Sequence, residues 1–117
     1  MSASGLTGDE LIAVLATLAN PHRLRVVAVL ARERNYVSRL ARELGISRPL
    51  LQVHLRKLEA AGLVSSHLEL SEDGKAMKFY EVNPFRFTLT PEALQEAART
   101  LRISGGSERD GQEESQV

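Results

Sequence analysis

A short helical segment that stops at Gly45 and restarts at Ser47, followed within about twenty-five residues by an alternating hairpin around Asp73-Gly74, predicts a mainly α fold with a small β-hairpin wing. Two short helices joined by so tight a turn cannot lie side by side and must cross steeply. The expected architecture is a winged helix-turn-helix of about five helices with a two- to three-stranded antiparallel sheet. The chain has 117 residues, enough for one domain with a modest core, and only five aromatic residues, so the core rests on Leu, Val, Ile and Ala. We expect a flexible N-terminus over 1–6, one domain over 7–103 and a disordered acidic tail over 104–117.

The first helix opens at Thr7, three residues before Glu10, which is a capping-box spacing, and carries Leu11, Val14, Leu15 and Leu18 on one stripe. Asn20 caps the second, Pro21 takes its first position without cost, and Leu24, Val27 and Leu30 are the residues it should bury. "VSRLARELG" is the first helix of the helix-turn-helix, with Arg39 and Glu43 spaced as a surface pair. "ISRPLLQVHLRKLEAAG" is the second, capped by Ser47 and closed at Gly62. "LVSSHLEL" and "AMKFYEV" alternate as strands. "NPFRFTL" is irregular or extended, and "TPEALQEAARTL" forms the last helix, with Thr90 as cap and Leu94, Ala97 and Leu101 on one side.

On a helical wheel, Leu51, Leu55 and Leu58 fall on one side of the 47–61 helix with His54 beside them, while Pro49, Val53, Arg56 and Ala60 fall on the other, flanked by Gln52 and Lys57. Taken alone this is an amphipathic surface helix. The turn before it and the wing after it make it a candidate reader of double-stranded DNA. Arg and Gln form paired hydrogen bonds to guanine and adenine edges, Val53 can meet a thymine methyl, and Ser47, Arg48, Pro49 and Leu50 begin the helix where phosphate is favoured. Lys75 and Lys78 of the wing can reach the backbone or minor groove. Charge is distributed accordingly. The chain is neutral overall, but residues 21–80 hold eleven basic against six acidic side chains, and the last fourteen residues hold one against four.

Other chemistries find little support. No cysteine is present, so thiolate metal sites, disulfides and thiol redox sensing are excluded. His22, His54 and His67 show no i, i+4 pair, and we expect no metal or other cofactor; His54 reads as a half-buried residue at the helix edge, bonded to backbone or phosphate. There is no Gly-rich phosphate loop, nucleophile elbow or Cys nucleophile, and an enzyme is not expected. No apolar run reaches membrane-span length and no signal peptide is visible, so no membrane partner and a cytoplasmic location are expected. A winged-helix module that binds protein through Gln52, Val53 and Arg56 is the alternative to DNA binding, and salt dependence separates the two.

"LANPHRLRVVAVL", "VSRLARELGISRPLLQVHLRKLEAAGLV" and "LELSEDGKAMKFYEV" resemble the ArsR-type winged helix-turn-helix repressors of bacteria and archaea, over about Leu18 to Asn83. The resemblance implies a homodimer joined by the first and last helices, through Leu11, Val14, Leu15, Leu18, Leu94, Ala97 and Leu101. It also implies a pseudo-palindromic operator, read by two recognition helices and released by an effector such as a small molecule. Two departures bear on that effector. The family's Cys-Val-Cys metal motif is matched here by Tyr36, Val37 and Ser38, and the last helix lacks the His and Asp of the family's other metal site. Pro49 and Leu50 also replace small polar residues common early in the family's recognition helix.

Overall fold

The computed structural model describes residues 5–102; residues 1–4 of the expected flexible N-terminus and the expected acidic tail 104–117 lie outside the described residues. The elements are α1 (Gly8–Leu18), α2 (Pro21–Arg32), β1 (Asn35–Tyr36), α3 (Val37–Leu44), α4 (Arg48–Ala60), β2 (Val64–Leu70), β3 (Ala76–Val82) and α5 (Pro91–Ala98). They fall into two compact units. Ala13–Phe85 forms one, and the chain ends, up to Ile12 and from Arg86, form the other.

In the larger unit, α4 packs against α2, α3 and β2, and the sheet runs in the order β1-β3-β2, antiparallel throughout. Val64 faces Val82 and Leu70 faces Ala76 across the hairpin, while Asn35 and Tyr36 pair with Tyr80 and Phe79. The third strand is only two residues long, below what alternation in a sequence can reveal. The core is aliphatic, built from Val26, Leu30, Leu40, Leu44, Leu51, Leu55, Leu58, Leu63 and Val64, with Tyr80 as its buried aromatic ring.

Local chemistry sets the helix ends. The Asn20 side chain accepts the Arg23 N–H at 3.1 Å, and Ser47 Oγ accepts the Leu50 N–H at 3.2 Å. Between α3 and α4, Gly45 adopts a left-handed conformation (φ 72°), where a side chain would be strained. Its N–H donates to the Ala41 carbonyl at 2.8 Å, and the Ile46 N–H to the same oxygen at 3.2 Å. Gly45, Ile46 and Ser47 thus redirect the chain into α4. Pro49, in the first turn of α4, lacks an N–H that would have had no helical partner.

Three expectations are corrected. Val26 and Leu30 are the buried residues of α2, whereas Leu24 is 57% exposed and Val27 only partly buried. Leu24, Val26, Val27, Val29 and Leu30 offer overlapping stripes, and packing on α4 and β3 selects the one through Val26. Arg39 and Glu43 do not pair. Glu43 bonds Arg32 at 2.5 Å and Arg39 reaches Glu33 at 3.6 Å, because the chain after α2 brings its charges beside α3. Both pairs are exposed and contribute little. Finally, His54 is buried at 6% exposure, with neither ring nitrogen bonded to a described residue, rather than half-buried and hydrogen-bonded. Its ring lies 5.3 Å from that of His22, tilted by 34°.

In the smaller unit, Thr7 and Glu10 form the reciprocal capping box, at 2.9 and 3.1 Å. The Gly8 N–H donates to Thr100 Oγ1 at 2.7 Å and the Arg102 N–H to Asp9 Oδ1 at 3.2 Å. Gly8 is needed for closeness: a Cβ there would stand 2.4 Å from the Ala97 carbonyl oxygen and 2.7 Å from Leu101 Cγ. Thr90 Oγ1 caps α5 by accepting the Ala93 N–H at 3.0 Å.

Two outcomes follow for stability. Gly8→Ala should cost about 1–3 kcal/mol in urea unfolding, since a backbone carbonyl must move to admit the methyl; an unchanged midpoint would contradict the contact. Burial, then Arg23, His22 and Lys57, hold His54 below the ordinary imidazole value. The unfolded chain therefore takes up this proton first. The stability contributed by neutral His54 is present above about pH 6.5 and is lost as the pH falls through the depressed folded-state value. Urea midpoints should fall between about pH 7.5 and pH 5.5, and His54→Leu should flatten that dependence.

Candidate nucleic-acid interface

The three leucines that α4 sends into the core determine what its other face presents. Leu51, Leu55 and Leu58 are fully buried, so Ser47, Arg48, Pro49, Leu50, Val53, Arg56 and Lys57 are exposed and Gln52 is partly exposed. Leu50 and Val53 are large apolar residues left in solvent on a helix that also carries exposed cations.

The start of α4 meets the wing. A groove of about 330 Å³ is lined by Arg48 and Gln52 from α4, Ala76, Met77 and Lys78 from β3, and Tyr36, Val37 and Ser38 at the start of α3. Arg48, Gln52 and Lys78 are thereby gathered at one place although thirty residues separate the first from the last. Arg56 and Lys57 lie further along α4 and do not line this groove. Lys75 is exposed at the hairpin tip, where its carbonyl accepts the Ser71 N–H at 2.8 Å and its own N–H donates to Ser71 Oγ at 3.1 Å. Asp73 bonds Ser71 in the same turn, which holds its carboxyl below the usual range and keeps it ionised.

Electrostatics separates the cations into two groups. Arg32, Arg34, Arg39 and Arg99 are paired with Glu43, Glu69, Glu33 and Glu96. Among the described residues, Arg48, Arg56, Lys57, Lys75 and Lys78 have no carboxylate partner. Lys78 Nζ instead sits 5.4 Å from the Tyr80 ring centre.

Sequence reasoning missed two features of the wing. Leu68 and Leu70 are exposed, and register places them opposite Lys78 and Ala76 on one face. Alternation alone signals burial for such leucines, yet the hairpin projects beyond the core. On the other face, Arg34, His67 and Glu69 form a bonded cluster, with the Arg34 guanidinium 4.5 Å above the Phe79 ring. Cross-strand pairing of β2 with β3 is the signal that could have located it.

The positions proposed for dimerisation divide as well. Leu11, Val14 and Ala97 are buried within the single chain and Leu18 partly so, while Leu15, Leu94 and Leu101 are exposed. Among the described residues no group of three His, Asp or Glu side chains converges as a metal site, and no single helix is long and apolar enough to cross a membrane.

Comparison with known proteins meets this geometry. The model described as "Bacterial regulatory protein, arsR family" matches residues 20–66, which run from the α2 cap to the start of β2. An HTH-type transcriptional regulator of Methanocaldococcus jannaschii, MJ0229, is 38% identical over 78 residues, covering 67% of this chain and 81% of that protein. Among solved structures, an ArsR-like transcriptional regulator from Rhodococcus sp. RHA1 matches with a TM-score of 0.55 at 30% identity, over 92% of this chain and 85% of that one. The homodimeric winged helix-turn-helix DNA-binding domain Mb0332 of Mycobacterium bovis matches with a TM-score of 0.57, over 78% of this chain and 70% of that one; at 24% identity this is a likeness of fold. These relatives are transcriptional regulators, not enzymes. The chain belongs to the ArsR family of helix-turn-helix transcriptional regulators and has that family's DNA-binding winged-helix fold.

Proposed function

We propose that the protein is a homodimeric repressor that reads a pseudo-palindromic operator through residues 47–61, with the 71–78 wing on the backbone or minor groove. The observation that carries this reading is the meeting of Arg48, Gln52 and Lys78 in one groove, on a face whose cations have no carboxylate partner among the described residues. Arg56 and Gln52 supply the base-edge contacts and Val53 the apolar contact to a thymine methyl. Ser47, Arg48, Lys57 and Lys75 bind phosphate and fix the register, and Pro49 and Leu50 lie against the groove wall. Leu68 and Leu70 beside Lys78 suit a shallow apolar contact in the minor groove.

Dimerisation is supported by the leucines left in solvent on α1, on α5 and just beyond the end of α5: Leu15, Leu94 at 46% exposure, and Leu101 respectively. The Mycobacterium bovis domain of the same fold is homodimeric. In this reading the two units act as one DNA-binding domain, and repression follows from occupying the operator.

Fluorescence anisotropy with the DNA upstream of the protein's own gene, against scrambled DNA, tests the function. Affinity should fall with salt by a log-log slope of about −0.9 per phosphate contacted. Arg56→Ala should cost about 1–3 kcal/mol on the operator and relax its specificity, while Lys78→Ala should weaken all DNA about equally. Affinity for neither DNA at any salt concentration would favour a protein-binding module instead. In sedimentation the 12.9 kDa chain should run as a dimer. Leu15→Glu with Leu94→Glu should give monomers that bind operator more weakly; a wild-type monomer would contradict the assembly.

A further inference from the structure

A second groove, also of about 330 Å³, lies at the far end of α4 from the wing. Ala13, Ala16 and Thr17 of α1, Arg23 of α2, and Lys57, Ala60 and Ala61 around the end of α4 line it. Its walls are apolar: methyl groups dominate, and the Thr17 hydroxyl is already spent on the Ala13 carbonyl at 2.7 Å. Its charge is wholly positive. Among the described residues neither Arg23 nor Lys57 has a carboxylate partner.

One residue of its lining, Arg23, holds an unpartnered buried nitrogen. Among the described residues, the buried side-chain polar atoms without a hydrogen-bond partner are Arg23 Nε and both ring nitrogens of His54, and His54 is close enough to feel the charges of Arg23, His22 and Lys57. Basic groups brought together without a counter-charge repel one another, and a buried donor left unbonded costs about 1–3 kcal/mol or more when charged. An anion in the groove offsets the repulsion and gives the Arg23 guanidinium a carboxylate partner. A planar guanidinium beside an ammonium suits a carboxylate, while the alanine walls and a volume at the small end of ligand pockets suit a body of a few apolar carbons.

We propose that this groove binds a small organic carboxylate, its charged end held by Arg23 and Lys57 and its apolar body lying against Ala13, Ala16 and Ala60. Occupation lowers affinity for DNA, because it places negative charge on the recognition helix and draws Lys57 away from phosphate. This regulatory half rests on the DNA-binding reading above; the site itself does not.

Nuclear magnetic resonance titration of the full chain with benzoate, hexanoate, hexanol and inorganic phosphate, each to about 10 mM, tests the site without DNA. Benzoate and hexanoate should shift the amides of Ala13, Ala16, Ala60 and Ala61 saturably, and hexanol and phosphate should not. Arg23→Gln should weaken carboxylate binding by about tenfold or more. Because Arg23 is partly buried and its loss can disturb folding, Ala16→Leu serves as the second variant; it fills the groove, keeps both cations, and should abolish the shifts while circular dichroism stays that of the parent. No saturable shift, equal binding of phosphate, or full binding by Ala16→Leu overturns the site. Loss of DNA affinity in Arg23→Gln without any carboxylate binding would assign the basic pair to DNA phosphate and overturn it too. Saturating benzoate should weaken operator binding severalfold, and an unchanged affinity overturns the regulatory half.

Discussion

Burial of Leu51, Leu55 and Leu58 against α2, α3 and β2 is the interaction on which the rest of the molecule depends. Each fully buried leucine contributes about 1.5–3 kcal/mol over its exposed state, so the stripe as a whole fixes the rotation of α4 about its own axis. A rotation by one residue, about 100°, would drive polar Gln52 and charged Arg56 toward the core and lift a leucine into water. What the outward face of α4 presents is therefore decided from inside. Arg48, Gln52, Val53 and Arg56 point outward because the leucines cannot.

The turn before α4 supplies the second constraint, its direction. Left-handed Gly45 closes α3, and Ser47 opens α4 two residues later, so no slack remains with which the helices could change their crossing. The hairpin then supplies position. Tyr80 anchors β3 in the core while Lys78, two residues earlier, emerges beside Arg48 and Gln52. Core, turn and wing thus converge on one cationic groove from segments that are distant in sequence.

Much of this was legible in the chain. The caps at Asn20, Ser47 and Thr90, the stop at Gly45 and the leucine side of α4 are local, and local physics is what spacing encodes. What escaped was set by tertiary packing. Val26 displaced Leu24 because two stripes on α2 compete and only the facing helix chooses between them. Glu43 took Arg32 in place of Arg39 because the two helices approach in space. Gly8 gave no signal of its closeness to Ala97, and β1 was too short to alternate. The burial of His54 against His22 joins residues thirty-two apart, beyond any periodicity on one helix.

The central claim is that the outward face of α4 and the wing form one DNA-reading surface. The most direct measurement is a map of backbone amide shifts in the full chain on adding operator duplex. The account predicts that the changes concentrate at residues 47–57 and 74–78, with the buried leucine side of α4 following only weakly. Changes centred on α5, or spread evenly with none at Arg48, Gln52 and Lys78, would contradict it.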